Sequence, residues 1–455
     1  MSMNPEIFRM YDIRGIADRD LTDEVVEKIG KAYGTMLRRE RRTDCAVGMD
    51  VRHSSSRIKQ ALIHGITSTG IDVLDIGMVP TPVLYFSVFH YNLGGGIEVT
   101  GSHNPVEYNG LKLMKGTKTI YGDEIQKLRE MIEKEDFEKG TGSVRELNPV
   151  PDYIEKVLSI VYPERKLKVV LDPGNGTAGP IAKRIFEKLG AEVVCINCEP
   201  DGDFPAHLPD PTIPEYMQQL IERVKEERAD FGVGYDGDAD RIGAVDEHGN
   251  IVWGDKLLGV FSKYVLERFP GSHIIFDVKC SQGIEEYISS LGGKPVMWKT
   301  GHSLIKAKMR ELSSPLAGEM SGHMFCGGDY YGYDDAIFAS ARLYDILSNS
   351  EKTLSELVAE IPYYYATPEI RIETTEEDKW RIVEEIKELF RKKYRTIEID
   401  GVRILFGDGW GLVRPSNTQP VIVARFEART PERLEEIKKE VLDEIYKRGG
   451  KTYTV

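Results

Sequence analysis

Short apolar runs closed by an aspartate recur three times along the chain: VGMD at Asp50, VVLD at Asp172 and IIFD at Asp277. Each leads into a helical stretch, then a glycine and a second apolar run, GIDVLDIG, LGAEVVCIN and LGGKPVMW. A third segment, apolar or rich in glycine, completes each repeat and stops in a polar loop, within GGGIEVTGSHNP, ADFGVGYDGDADR and SPLAGEMSGH. Strand–helix–strand alternation predicts a mainly parallel sheet with helices on its faces. Ligands of such sheets bind in the crevice outside the carboxyl ends of the strands. The pattern therefore expects three similar α/β domains whose polar loops occupy equivalent places.

The last part of the chain breaks the rhythm. PEIRIETTEE reads as a strand entering a helix, with Thr374 and Glu377 spaced as a capping box. IEIDGVRILFG, GWGLVRPSN and PVIVARFEA read as strands joined by short turns. A final helix is expected from Thr430-Pro431, with Leu434, Ile437, Val441 and Ile445 on one face and a stop at Gly449-Gly450. The predicted division is three mixed α/β domains, 1–149, 150–252 and 253–365, followed by a smaller α+β domain, 366–455.

Length agrees, since 455 residues exceed a single hydrophobic core. Hydrophobic content of 41% with 29% charged residues is that of a folded globular protein. A net charge of −14 argues against a nucleic-acid surface and requires any phosphate site to gather its arginines and lysines in a cleft. No apolar run approaches the length of a membrane span, and MSMNPEIFRM lacks the core of a signal peptide, so the expected setting is cytoplasmic. Cys195 and Cys198 form a CxxC without the further ligands that zinc needs, and are expected as buried reduced thiols.

Four loops carry the chemistry. In VTGSHNPVEYNG the turn needs Gly101, Asn104 and Pro105 but not Ser102-His103, which leaves a plain turn or a reactive hydroxyl. DGDADR sets Asp236, Asp238 and Asp240 at alternate positions; carboxylates so close repel unless a cation lies among them, and an all-oxygen set suits Mg2+. An EF-hand is disfavoured because Arg241 stands where that turn wants glycine, although Glu247 holds the twelfth place. GVGYDG matches a dinucleotide fingerprint by letter, but aspartates and a strand follow it instead of a helix. GEMSGH offers Glu319 and Ser321, suited to sugar hydroxyls or equally to capping a helix. RPSNTQP groups Arg414 with Ser416, Asn417 and Thr418, a fork of donors for a phosphate or a proline-stiffened turn.

From end to end the chain resembles the α-D-phosphohexomutases, within them the phosphomannomutase/phosphoglucomutase group. The resemblance rests on TGSHNP (100–105), DGDADR, GEMSGH and RxSNTxP in order, with YDIRG, NGLK, DVKCS and KTGHS beside them. It implies four domains around a central cleft and a phosphorylated Ser102, with Mg2+ held by Asp236, Asp238, Asp240 and a phosphoserine oxygen. It carries Lys112, His302, Arg14 and His103 over as catalytic residues. Tyr11, Arg241, Lys279, Glu319, Ser321, Arg414, Ser416, Asn417 and Thr418 become substrate contacts. The implied reaction interconverts hexose 1-phosphates and 6-phosphates of mannose and glucose, primed by hexose 1,6-bisphosphate, in a monomer or homodimer. A magnesium-dependent sugar phosphatase and a glucosamine-phosphate mutase are the alternatives.

Overall fold

A computed structural model of the chain describes residues 3–416 and 420–451, and these form four sheets. In the first, strand Asp44–Met49 lies parallel between Asp72–Met78 and Gly95–Val99. Gly95–Val99 then pairs antiparallel with Tyr108–Lys115, and that strand with Ile13–Ile16. The second sheet repeats the scheme: Lys168–Asp172 lies parallel between Glu192–Cys195 and Phe231–Tyr235, and Phe231–Tyr235 meets Ile242–Asp246 antiparallel. In the third, His273–Asp277 lies parallel between Lys294–Trp298 and Leu316–Gly318, which meets Met324–Cys326 antiparallel.

The sheets are thus more mixed than a mainly parallel reading implies. In each repeat the polar loop is a hairpin between the third parallel strand and an antiparallel return. The reason is distance along the chain. Another apolar segment follows each loop within a few residues, too few for the crossover helix that a parallel partner demands. Phe231–Tyr235 therefore leads into a strand, which disposes of the dinucleotide reading, and Glu247 bonds Ser355 Oγ at 2.5 Å, away from the aspartate loop.

The C-terminal sheet is antiparallel, with Gly409–Pro415 between Val402–Leu405 and Val421–Ala428. Its core is formed with the helices Glu376–Arg391 and Pro431–Lys447, whose buried Ile382, Ile386, Phe390, Ile437, Val441 and Ile445 meet the strands. Thr430 caps the last helix as expected. The first of the two helices is capped one residue later than the expected pair: Thr375, not Thr374, accepts the amide of Asp378 at 3.0 Å. Both spacings satisfy the capping pattern, and the strand Ile370–Glu373 decides between them, since Thr374 N–H still donates to Pro420 O. Cys195 and Cys198 are half-buried where full burial was expected, and their sulfur atoms lie in contact with Cα atoms 5.9 Å apart.

One continuous apolar core runs through the first three sheets, from Ala46 and Phe86 through Leu171 and Phe231 to Phe276 and Leu316. The fourth sheet has its own core and is fastened to the third by a small cluster of Val278, Trp410 and Leu412. Arg403 is 1% exposed, lies 3.7 Å above the Trp410 ring and donates to Val278 O and Cys280 O at 2.8 Å each. Among the described residues no helix is long and apolar enough to cross a membrane.

The two cap assignments separate experimentally. Thr375→Ala removes the oxygen that holds the Asp378 amide and should cost ~1 kcal/mol locally, about fivefold faster amide exchange over the first turn of that helix. Thr374→Ala should leave the exchange of that turn unchanged.

Candidate active site

Asp50 begins the site, and its position just past the first parallel strand explains how a loop can be held rigidly. Buried at 2% exposure, it accepts Thr100 Oγ1 at 3.0 Å, Gly101 N–H at 2.9 Å and Ser55 Oγ at 2.5 Å. From the other side Arg52 donates to the carbonyls of Ser102 (3.0 Å), Asn104 (2.5 Å), Pro105 (2.6 Å) and Tyr108 (3.0 Å). Between these clamps Ser102 sits at φ +49°, a left-handed conformation that costs a non-glycine residue ~1–2 kcal/mol. Its hydroxyl, 2% exposed as a residue, donates to Asp236 Oδ2 at 2.8 Å and lies 3.1 Å from His103 Nδ1. A plain turn needs none of this.

Asp236, Asp238 and Asp240 are fully buried and their ligand atoms lie within 4.8 Å of one another. Lys112, from the return strand of the first sheet, donates to Asp238 Oδ2 at 2.6 Å and to Asp240 Oδ2. Thr81 Oγ1, at the start of a first-domain helix, donates to Asp238 Oδ2 at 2.5 Å. Burial raises Asp236 well above the usual carboxylate range, reinforced by Asp240 and Asp238. Burial also opposes the charge on Asp240, but Lys112 and His323 beside it outweigh burial and hold it at about 2. Asp238 Oδ1 and Asp240 Oδ1 are buried without a hydrogen bond, so the set has free oxygen ligands for a hard cation and fits one.

The third loop turns its acidic residue inward. Glu319, 2% exposed, accepts Gly301 N–H at 2.7 Å on one oxygen and Ser321 Oγ at 3.1 Å on the other. It therefore ties the GEMSGH hairpin to KTGHS. Gly301 takes φ +132°, and a side chain there would meet the ring of Tyr11 at 2.7 Å. Tyr11 Oη donates to Thr300 O at 3.0 Å, and its ring edge faces His302 with centroids 6.3 Å apart. Burial and then Lys306 push His302 well below the ordinary imidazole value. Arg14 bonds Asn104 Oδ1 at 2.5 Å and Asp12 at 2.7 Å, beside the serine.

From the fourth domain, Arg414 meets Asp400 Oδ2 at 3.1 Å, and its Nε is buried without a hydrogen bond. Ser416 is buried, while Asn417 and Thr418 lie outside the described residues. Lys279 reaches Glu369 at 3.4 Å across the same interface. Arg241 donates from Nε to His323 Nε2 at 3.1 Å. All four sheets thus supply groups to one place: a serine hydroxyl, an aspartate triad, a glutamate–serine pair and an arginine.

Four family models describing phosphoglucomutase/phosphomannomutase match in order: three alpha/beta/alpha domains over residues 5–139, 151–249 and 253–365, and a C-terminal domain over 369–444. The chain belongs to the phosphoglucomutase/phosphomannomutase family. It is 46% identical over 433 residues to the phosphomannomutase/phosphoglucomutase of Pseudomonas aeruginosa, covering 95% of this chain and 94% of that one. It is 41% identical over 441 residues to a Neisseria gonorrhoeae phosphoglucomutase, covering 96% of each. The crystal structure of a phosphoglucomutase/phosphomannomutase family protein from Burkholderia thailandensis superposes with TM-score 0.94 at 39% identity, covering 99% of both chains.

Several residues of this mutase escaped sequence reasoning. Arg52 stands two residues past Asp50, but only folding reveals that its guanidinium spans four carbonyls. His323 closes GEMSGH and lies 3.1 Å from Asp334 Oδ2 and 3.7 Å from Asp240 Oδ1. Asp334 also holds Lys306 Nζ at 2.8 Å and faces His302 Nδ1 at 3.6 Å. Asp400 joins Arg414 to the Thr300 amide at 3.2 Å. An aspartate in IEIDG carries no sequence signal for that role.

Arg52 gives a direct test. Arg52→Met keeps the apolar stem but leaves the serine loop's carbonyls unheld. Steady-state kinetics should show kcat lower by at least a hundredfold with KM within threefold, and Arg52→Lys should not rescue it, because one ammonium cannot span the carbonyls.

Proposed function

We propose that this enzyme moves a phosphoryl group between Ser102 and a hexose phosphate, interconverting hexose 1-phosphate and hexose 6-phosphate through a 1,6-bisphosphate. The observation that carries the reading is the Ser102 hydroxyl, buried in a doubly clamped, strained loop and hydrogen-bonded to Asp236. Phosphoserine donates to the free sugar hydroxyl, the bisphosphate turns over in the cleft, and its other phosphate returns to Ser102. Asp236, Asp238 and Asp240, with an oxygen on Ser102, would hold Mg2+, which neutralises charge on the phosphoryl oxygens.

This chain's own residues position and exchange protons. Arg14 and Lys112 bring positive charge to the phosphoryl side. His302, kept neutral by burial, is the candidate for taking the hydroxyl proton, whereas Lys112, held as an ammonium by Asp238 and Asp240, already carries its own. Glu319 and Ser321 would engage neighbouring sugar hydroxyls, with Tyr11, Arg241 and Lys279 around them. Arg414 with Ser416, Asn417 and Thr418 would hold the phosphate that is not transferred, through a charged fork. Hexose 1,6-bisphosphate would prime the unphosphorylated enzyme.

The test is turnover of mannose 1-phosphate and glucose 1-phosphate with bisphosphate primer, free phosphate being measured alongside. Intact-mass and peptide spectra should find Ser102 partly phosphorylated, and Ser102→Ala should lose nearly all turnover. A Ser102→Ala variant with near wild-type rates would sink the mechanism, and free phosphate in place of isomer would indicate a phosphatase.

Glucose and mannose differ only at C2, and a Glu319–Ser321 pair that grips O3 and O4 would leave C2 largely unread. The side chain of Met320, between them, carries no hydrogen-bond donor. Both sugars should react with kcat/KM within about tenfold, roughly 1.4 kcal/mol, and glucosamine 1-phosphate far more slowly. A preference beyond about a hundredfold for either hexose would show that C2 is read elsewhere.

A further inference from the structure

Residues 38–42, LRRERRTD in context, place four arginines against one glutamate in a chain of net charge −14. A helix C-terminus accounts for part of this. The helix Asp23–Arg39 ends there, and a cation in the last turn is stabilised by ~0.3–1 kcal/mol. That effect covers Arg38 and Arg39 but not Arg41 and Arg42, which lie past the helix end.

The structure gathers three of these arginines on one concavity. Arg38, Arg41, Arg42, Thr43, Gly70 and Gly140 line a hollow of ≈ 440 Å3. Arg38 is fixed in advance, its Nη1 donating to Thr69 O at 2.6 Å and Lys139 O at 2.8 Å. The floor beneath it is glycine for a reason: a Cβ on Gly140 would stand 2.5 Å from that nitrogen, and one on Gly70, which holds φ +91°, would stand 3.0 Å from it. Arg41 is exposed, takes a left-handed backbone at φ +59°, and its guanidinium makes no ion pair or hydrogen bond among the described residues. Arg42 Nε is buried without a hydrogen bond and 3.5 Å from Glu40 Oε2, a carboxylate already shared with Lys115 at 2.7 Å. Arg39 is engaged outward with Asp136 and Glu138. The hollow therefore holds more guanidinium than carboxylate.

We propose that this hollow is a binding site for a small polyanion carrying two or more adjacent phosphoryl groups. Planar guanidinium forks match phosphate oxygens in pairs. The volume falls within the range of small-molecule sites and is too small for a nucleic-acid segment. The site is separate from the cleft. It opens at the amino ends of strands Asp44–Met49 and Asp72–Met78, whereas the serine loop hangs on Asp50 just past the carboxyl end of the first. Six residues of strand, about 20 Å, lie between them.

The probe is inorganic tripolyphosphate, titrated calorimetrically into the full-length, metal-free protein at about 150 mM salt, with ATP as a second arm. Wild type should bind one equivalent at the hollow besides any taken up by the cleft. Arg41→Ala/Arg42→Ala should weaken that equivalent by at least tenfold while leaving turnover and thermal midpoint unchanged, and Arg414→Ala should retain it. ATP binding tightly and tripolyphosphate weakly would assign a nucleoside polyphosphate, the reverse an inorganic chain, and either supports the site. A double variant that titrates like wild type, or a wild-type signal already lost at 150 mM salt, overturns it.

Discussion

Three carboxylates with no solvent exposure, one of them hydrogen-bonded to a serine hydroxyl, are the constraint on which this molecule turns. Charges so placed would neutralise themselves or push the structure apart unless cationic and hydrogen-bonding partners were brought to them. The chain brings Lys112 and Thr81 from the first domain and His323 from the third. The domain that owns the aspartates supplies few of their partners. Docking of the domains and integrity of the site are therefore one problem, and the continuous core through the first three sheets solves it.

Each repeat ends its first parallel strand in an aspartate, and each of these acts on loops. Asp50 holds the serine loop, Asp172 accepts Gly174 N–H and Asn197 Nδ2, and Asp277 accepts Thr300 Oγ1 at 3.1 Å. A buried carboxylate just outside a strand can accept several donors at once, so it organises a loop without lengthening it. The three repeats share that device, while their loops carry a serine, an aspartate triad and a glutamate–serine pair.

The repeat and the four loops were legible because period, punctuation and motif all lie within a few consecutive residues. The pairing direction after each loop was less legible, since a short apolar run reads alike in either direction until its neighbour is known. Arg52 and Asp400 were invisible for another reason. Their roles consist of reaching segments about 50 and 100 residues away, Ser102 to Tyr108 and Thr300, and nothing in their own surroundings marks that reach. His323 stood inside a recognised motif but gains its meaning from Asp334, which sequence reading passed over. The cap at Thr375 was missed by one position, where two equal spacings compete and a strand boundary decides.

Thr300 is where the parts meet. Its carbonyl accepts Tyr11 of the first domain, its hydroxyl donates to Asp277 of its own, and its amide donates to Asp400 of the fourth. Tyr11 lies near the start of the chain and Asp400 near its end. During synthesis the first three sheets can form in turn as they leave the ribosome, but this junction must wait for the last segment to emerge. A nascent or truncated chain would thus be folded over most of its length and still have an open seam, so competence arrives late and all at once.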